Sequence, residues 1–175
     1  MKNKWLTMLV LVSVLLLTTI APGCGAPDIT KPTVGYVPEG WYCSAEDPYG
    51  TYEELDGTKS GLLEYTDAED YDSVQIFYGD IPPELKGNEE NMASLTAKAV
   101  EWASAFDPDE TGTMTVIGQL AGYAKSYDDE LEIYDLEIVF VKGSTCIDIY
   151  SMYDATAEDE AQVMSIINSI DLREG

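Results

Sequence analysis

The sequence predicts an α+β domain in which an antiparallel β-sheet is packed by helices. Strand-like segments outnumber helix-like ones, and two of them precede the first helix while four lie in succession between the two helices. Runs of strands between separated helices are typical of α+β proteins, because consecutive strands joined by short turns pair antiparallel. Each face of such a sheet is able to receive one helix.

Alternating side chains and turn residues define the strands. Val74, Ile76 and Tyr78 recur with a period of two, which is typical of a half-buried strand. The dipeptide 142–143, Lys-Gly, predicts a tight hairpin turn between the last two strands. The predicted strands are 61–66, 73–78, 113–119, 121–127, 131–141 and 144–153.

The strand predicted at 131–141 has two unequal faces. One face is uniformly apolar, whereas the other includes Glu137. The apolar face is therefore expected to lie against the core. Its members are Tyr134, Leu136, Ile138 and Phe140.

Two segments show helical periodicity. In 88–106, apolar side chains recur every three to four residues, and Asn88 is a suitable N-cap. In 156–170, either Thr156 or Asp154 can cap a helix whose first turn is acidic, as the helix dipole favours.

The chain begins like a secretory signal peptide, predicted to span residues 1–23. Lys2 and Lys4 form a basic start, and 6–20 is an apolar run without a charge. That run is shorter than the ~20 residues that a membrane-spanning helix needs. The alternative is an N-terminal anchor helix that is retained.

Cys24 follows the predicted leader directly. A small residue before a cysteine resembles a lipobox, in which the cysteine is acylated and becomes the new N-terminus, although Pro22 departs from that pattern. The predicted location is therefore extracytoplasmic and anchored to the cell membrane by lipid on Cys24, or secreted if the cysteine is not lipidated. Residues 24–40 are rich in Pro and Gly and predict a tether. Residues 41–172 then form one domain.

The composition excludes several function classes. The chain carries 33 acidic and 9 basic residues and has a formal net charge of −24. Nucleic acid is therefore not an expected partner, since phosphate binding needs clustered Lys and Arg. Histidine is absent, which excludes Ser-His-Asp and Cys-His catalysis and nearly all catalytic zinc sites. We expect no enzyme.

The cysteine count suggests a pairing. With Cys24 assigned to lipid, Cys43 and Cys146 remain as a candidate disulfide in an oxidising compartment. Such a bridge would close a long loop and contribute ~4–5 kcal/mol on the chain-entropy account. The alternative is two free thiols, because spacing alone does not bring two sulfurs together.

One acidic segment resembles the first half of a calcium loop. Asp107, Asp109 and Thr111 follow the D-x-D-x-[ST]-G pattern of hard-cation sites. Gly118 stands where the bidentate glutamate is expected, so the alternative is a turn that ends the preceding helix. No cofactor is expected, and calcium is the alternative that this segment leaves open.

The chain resembles the PsbP/Mog1-like superfamily, which includes PsbP-related and LpqN- or DcrB-type envelope lipoproteins. Four segments carry the resemblance: the P-x-G-W start at 38–41, the segment 118–123, the strand 146–153 and the I-x-x-S-I end at 166–170. The resemblance covers 38–170 and rests on structural motifs. It implies an antiparallel sheet between helices (an αβα sandwich) and non-catalytic roles in binding or assembling proteins.

Two functions are predicted from these observations. The first is an exported, lipid-anchored, non-enzymatic domain that binds or helps to assemble a protein of the cell envelope. The second is a cation- or small-ligand-binding module that uses acidic loops such as 67–72 and 128–130. A hydrolase that uses two carboxylates needs no histidine and is the third alternative.

Overall fold

A computed structural model describes residues 29–54, 57–68, 72–103 and 106–172. The order of strands and helices along the chain follows the sequence prediction, with three additional strands. The strands are β1 Thr33–Val34, β2 Trp41–Glu53, β3 Lys59–Asp67, β4 Ser73–Gly79, β5 Glu110–Val116, β6 Gln119–Asp128, β7 Ile133–Lys142, β8 Thr145–Asp154 and β9 Ile170–Asp171. The helices are α1 Met92–Trp102 and α2 Ala157–Asn168.

Seven strands form one antiparallel sheet in the order β2-β3-β4-β8-β7-β6-β5, and β1 pairs with β9 in a separate ladder. The hairpins β3–β4 and β7–β8 come together because β4 pairs with β8, from Ser73 beside Met152 to Gly79 beside Cys146. The prediction of an α+β protein with an antiparallel sheet is therefore confirmed. The central strands β4, β8 and β7 contribute most of the core.

Helix α1 packs on one face of the sheet, over β5, β6 and β7. Its N-cap is Asn91, whose side chain accepts hydrogen bonds from the backbone N–H groups of Ala93 and Ser94, rather than the predicted Asn88. The helix lies close to the sheet because Gly122 has no side chain: a Cβ there would collide with the backbone of Leu95. A helix is about 10 Å wide, so α1 leaves the same face uncovered over β3, β4 and part of β8.

Helix α2 packs on the opposite face and closes the larger apolar cluster. Its N-cap is Thr156, one of the two predicted candidates, and Thr156 accepts a hydrogen bond from the backbone N–H of Asp159. The face of β7 predicted to be buried lies in this cluster with α2, so that prediction is confirmed. The buried members on the helix are Val163, Ile166 and Ile167.

The predicted tether is wrong over its described part. Ile29, Val34 and Val37 pack against the core, and Gly35 donates its backbone N–H to the carbonyl of Ser169 at 3.0 Å. The composition misled the prediction, because these three apolar side chains are scattered among prolines and glycines. Residues 24–28, with Cys24, and the leader 1–23 lie outside the described residues.

Strand β2 was not predicted from the sequence. It carries Pro48 and Gly50, and its pairing with β3 is interrupted by bulges between Cys43 and Ala45 and between Asp47 and Tyr52. Prolines and bulges are tolerated at an edge strand, where one side of the backbone is unpaired.

Neither helix of the described residues has the length and the apolar character that crossing a membrane requires.

Candidate functional site

A cavity of about 310 Å³ opens on the face that α1 only partly covers. It lies between the C-terminal end of α1 and the strands β3, β4 and β8. Gly79 on β4 lets β3 approach closely at this edge of the cavity, because a Cβ there would collide with the backbone of Lys59 on β3. The cavity exists because one helix is too narrow to cover the width of seven strands.

Aromatic rings form much of the cavity wall. Trp102 and Phe106 come from the end of α1 and the turn after it, Phe77 from β4 and Tyr150 from β8. Lys98 fixes the position of Trp102, since its Nζ atom lies 5.3 Å from the centre of that ring and its side chain is only 4% exposed. Rings of this kind provide apolar contact and an electron-rich face for a cation.

Two carboxyl groups stand side by side in this wall. Glu137 on β7 and Asp148 on β8 are diagonal neighbours, because Val139 is directly opposite Asp148 and Tyr150 is directly opposite Glu137. Glu137 is 3% exposed, and its carboxyl is hydrogen-bonded to that of Asp148. Diagonal cross-strand neighbours are within reach of long side chains, so the sheet register itself creates the pair.

The Glu137–Asp148 pair holds one proton. Burial raises the pKa of Glu137, and the neighbouring charge of Asp148 and the hydrogen bond to it raise it further. Burial also raises the pKa of Asp148, although the hydrogen bond from Glu137 opposes that shift. The hydrogen bond between them raises the pKa of Glu137 and lowers that of Asp148, so Glu137 carries the proton and donates it to the Asp148 carboxylate. The pair therefore has a single negative charge.

The Asp148 carboxylate is incompletely satisfied. Its Oδ1 atom is sealed from solvent and has no hydrogen-bond donor within the described residues. A buried acceptor without a donor is unfavourable by about 1–3 kcal/mol, and more when it is charged. The side chain also lines the cavity, so a positively charged guest there would lie beside the carboxylate.

The remaining acidic groups of the cavity are Glu54 and Asp80, and the lining residues that are described include no basic side chain. Asp80 is already engaged: its carboxylate accepts the hydroxyl of Tyr49 at 2.9 Å and the backbone N–H of Lys59 at 3.0 Å. Glu54 adds to the negative potential felt by Asp148. The cavity therefore favours a positively charged guest over a negatively charged one.

The predicted disulfide between Cys43 and Cys146 is wrong in this fold. Cys43 is free and exposed on β2, while Cys146 is free and buried on β8. Three strand spacings separate the two strands, or about 14 Å, whereas bridged cysteines have Cα atoms within about 7 Å. The register moves them further apart, because Cys43 is level with Tyr65, Val74 and Ser151 rather than with Cys146.

The calcium-like segment does not form the predicted loop. Thr111 lies in β5 and pairs with Ala124, so the chain is extended where a calcium loop would curve. The Asp109 carboxylate accepts the backbone N–H of Tyr127 at 3.0 Å, and Asp107 lies exposed in the turn before β5. No group of three or more potential metal ligands occurs in the described ranges.

The other acidic loops have structural roles at the residues that are described. Asp128 accepts the backbone N–H groups of Glu130 and Leu131 in the β6–β7 turn. Asp72 is buried and accepts the backbone N–H of Asp154 at 2.9 Å. Hydrogen bonds of this kind fix turns and strand ends. The predicted ligand site in these loops is therefore replaced by the cavity as the candidate.

The sequence contains a signal for the carboxyl pair that its prediction did not use. Glu137 and Asp148 each interrupt an apolar run, Leu136–Val141 and Cys146–Ile149. A charged residue inside a buried strand needs a partner or a function.

A scan against protein-family models finds no match, and a search of the curated proteins finds no relative. The resemblance to the PsbP/Mog1-like superfamily therefore stays a prediction.

Proposed function

We propose that this chain is a non-enzymatic binding domain and that the cavity beside α1 is its ligand site. A volume of about 310 Å³ lies at the lower end of the range of small-molecule pockets. Apolar walls with a few polar groups, among them a buried carboxyl with a strongly shifted pKa, are the usual composition of such sites. The observation that carries the proposal is the buried Glu137–Asp148 carboxyl pair in the wall of this cavity.

Binding is favoured over catalysis by the arrangement of the two carboxyl groups. Glycosidases hold their two carboxyl groups about 5–9 Å apart, so that a sugar or water fits between them. Glu137 and Asp148 are instead hydrogen-bonded to each other, which leaves no room for a reacting group between them. The absence of histidine from the chain removes the most common alternative base.

The location in this proposal comes from the sequence. The leader 1–23 and the lipobox-like Cys24 favour display outside the cytoplasmic membrane, and they are tested by the mass of the mature N-terminus. The αβα sandwich of the PsbP/Mog1-like superfamily is part of the same proposal, and the packing of α1 and α2 on opposite faces of the sheet supports it.

The protein-binding function predicted for the envelope remains the second candidate. The observation that favours it is the exposed edge strand β2, which offers unpaired backbone groups along its outer side. Crosslinking on intact membranes tests it. Recovery of one specific protein supports this function, and repeated recovery of none removes its support.

The ligand site is tested with an uncharged probe. We expect benzyl alcohol to give a saturable heat in calorimetry with the full chain in an uncharged maltoside detergent. Ser60 lines the cavity on β3, so Ser60→Tyr should fill it and abolish the heat. Thr115 is exposed on the far edge strand β5, so Thr115→Tyr is the matched control and should bind as the wild type does. Equal binding by both variants would contradict the proposal.

A further inference from the structure

We propose that the cavity binds an organic monocation, a protonated primary amine on an apolar body, with its ammonium group at the Glu137–Asp148 pair. The inference rests on the proposed function, because it assigns a ligand class to the same cavity. It is carried by three features of the site: its charge, its carboxylate acceptor and its aromatic wall.

The negative charge of the site favours a cation. The pair shares one hydrogen bond and holds one proton, so it presents one negative charge to the cavity. A monocation neutralises that charge without releasing the shared proton. A divalent metal prefers six or more oxygen ligands, and no three potential metal ligands are grouped together in the described part of the chain.

Two polar side chains of the cavity wall already have hydrogen-bond partners. The Tyr150 hydroxyl already donates to Asp135 at 2.5 Å, and Asp80 already accepts two hydrogen bonds. The Asp148 carboxylate lacks a donor at Oδ1. An ammonium group has three N–H donors and is compact, so it is able to hydrogen-bond to the Asp148 carboxylate, whereas a quaternary ammonium has no donor.

The aromatic wall requires that the cation carry an apolar body. The rings of Phe77, Trp102 and Phe106 line the cavity on the side of β4 and the end of α1. A bare inorganic cation would leave these rings without contact, whereas a ring or alkyl chain would bury against them. The ammonium end then lies at the carboxyl pair and the apolar end lies against the rings.

The test compares three probes that share one ring and differ in charge: benzylamine, benzyl alcohol and benzoate. Each is titrated into the full chain in maltoside detergent at neutral pH, and the heat is measured. We expect benzylamine to bind at least about tenfold more tightly than benzyl alcohol, the ratio expected for one charge-assisted hydrogen bond. Benzoate should bind most weakly.

Two variants of equal charge locate the effect. Asp148→Asn should lower the affinity for benzylamine to that for benzyl alcohol, whereas Asp129→Asn, in the exposed β6–β7 turn, should keep the tenfold preference. Glu137→Gln should cost less affinity than Asp148→Asn, because the charge lies on Asp148. The preference measured on the wild type decides the question even if Asp148→Asn does not fold.

The outcomes separate this inference from the proposed function. If benzylamine and benzyl alcohol bind equally and Ser60→Tyr abolishes both, the cavity is a ligand site but the amine inference is overturned. If the preference for benzylamine survives Asp148→Asn in a folded protein, the inference is also overturned. If none of the three probes binds, the proposed function fails together with it.

Discussion

Glu137 and Asp148 lie on adjacent strands and share one proton in the wall of a cavity lined by aromatic rings. Each side chain would be unfavourable alone in an apolar strand, because a buried charge without a partner is strongly destabilising. Together they form a singly charged pair, because one of the two carboxyl groups is neutral.

The shared proton predicts how stability responds to pH. The folded pKa of Glu137 is raised above its unfolded value, so its contribution is full below the unfolded value and is lost as pH rises. Gln cannot ionise in the unfolded chain, so Glu137→Gln should gain stability relative to the wild type with rising pH, by at most about 1.4 kcal/mol per pH unit. Urea unfolding across neutral pH measures this, with the exposed Glu130→Gln as control. Stability curves that stay parallel for Glu137→Gln and wild type would refute it.

Asp72 makes a second, independent pH prediction. Burial raises the pKa of Asp72 to about 6, although the hydrogen bond from the backbone N–H of Asp154 opposes that shift. Ionisation of Asp72 should therefore weaken the fold as pH rises from about 4 to about 6. Asn keeps the acceptor and does not ionise, so Asp72→Asn should match the wild type at pH 4 and exceed it at pH 7 by at most about 3 kcal/mol.

Chemical denaturation at these two pH values tests the Asp72 prediction. The difference between variant and wild type is the quantity to compare, because it cancels the general repulsion among the other acidic groups. A variant that is less stable than the wild type at pH 7 would show that the ionised carboxylate stabilises the fold.

The close approach of α1 to the sheet depends on Gly122. A Cβ at this position would meet the backbone of Leu95 and Thr96, and backbone atoms cannot rotate away as a side chain can. Gly122→Ala should therefore destabilise the protein by about 3 kcal/mol. Thermal unfolding measures the loss, and Ser126→Ala on the same face of β6 is the control. An unfolding temperature close to that of the wild type would contradict the packing of α1.

The two cysteines should differ in reactivity. Cys43 is exposed, whereas burial raises the pKa of the Cys146 thiol far above its usual range. The thiolate is the reactive form, so iodoacetamide should label Cys43 in the native protein and label Cys146 only after unfolding. Mass spectrometry of peptides distinguishes them. A Cys43–Cys146 peptide found without reduction would contradict the sheet order.

Local sequence patterns correctly predicted those elements whose structure depends mainly on neighbouring residues in the sequence. The β7 face of Leu136, Ile138 and Phe140 and the cap at Thr156 are in this group, because alternation and capping are local properties. Strand β2 was missed because its extended shape comes from pairing with β3 rather than from alternation. Residues 88–91 form a turn before α1, with the Asn91 N–H bonded to the Asn88 carbonyl, so the helix begins later than predicted.

The candidate site could not be predicted from spacing alone. Glu137 and Asp148 become neighbours through the β7–β8 register, and the cavity opens because α1 covers only β5 to β7. Both are properties of the assembled sheet. The predicted calcium site at 107–111 and the predicted Cys43–Cys146 disulfide rested on residue type and spacing. In the structure, strand pairing extends the chain at Thr111, and the strand order and register separate the two cysteines.

The most direct test of the account is an NMR titration of the side-chain carboxyl carbons with benzylamine, on the full chain in maltoside detergent. Before addition, the carbon shifts at neutral pH should show Glu137 protonated and Asp148 ionised. Benzylamine should then move both resonances in a saturable way and leave that of Asp129 unchanged. If both carboxyl groups are ionised, or if neither resonance responds to the amine, the Glu137–Asp148 pair is not the cation site.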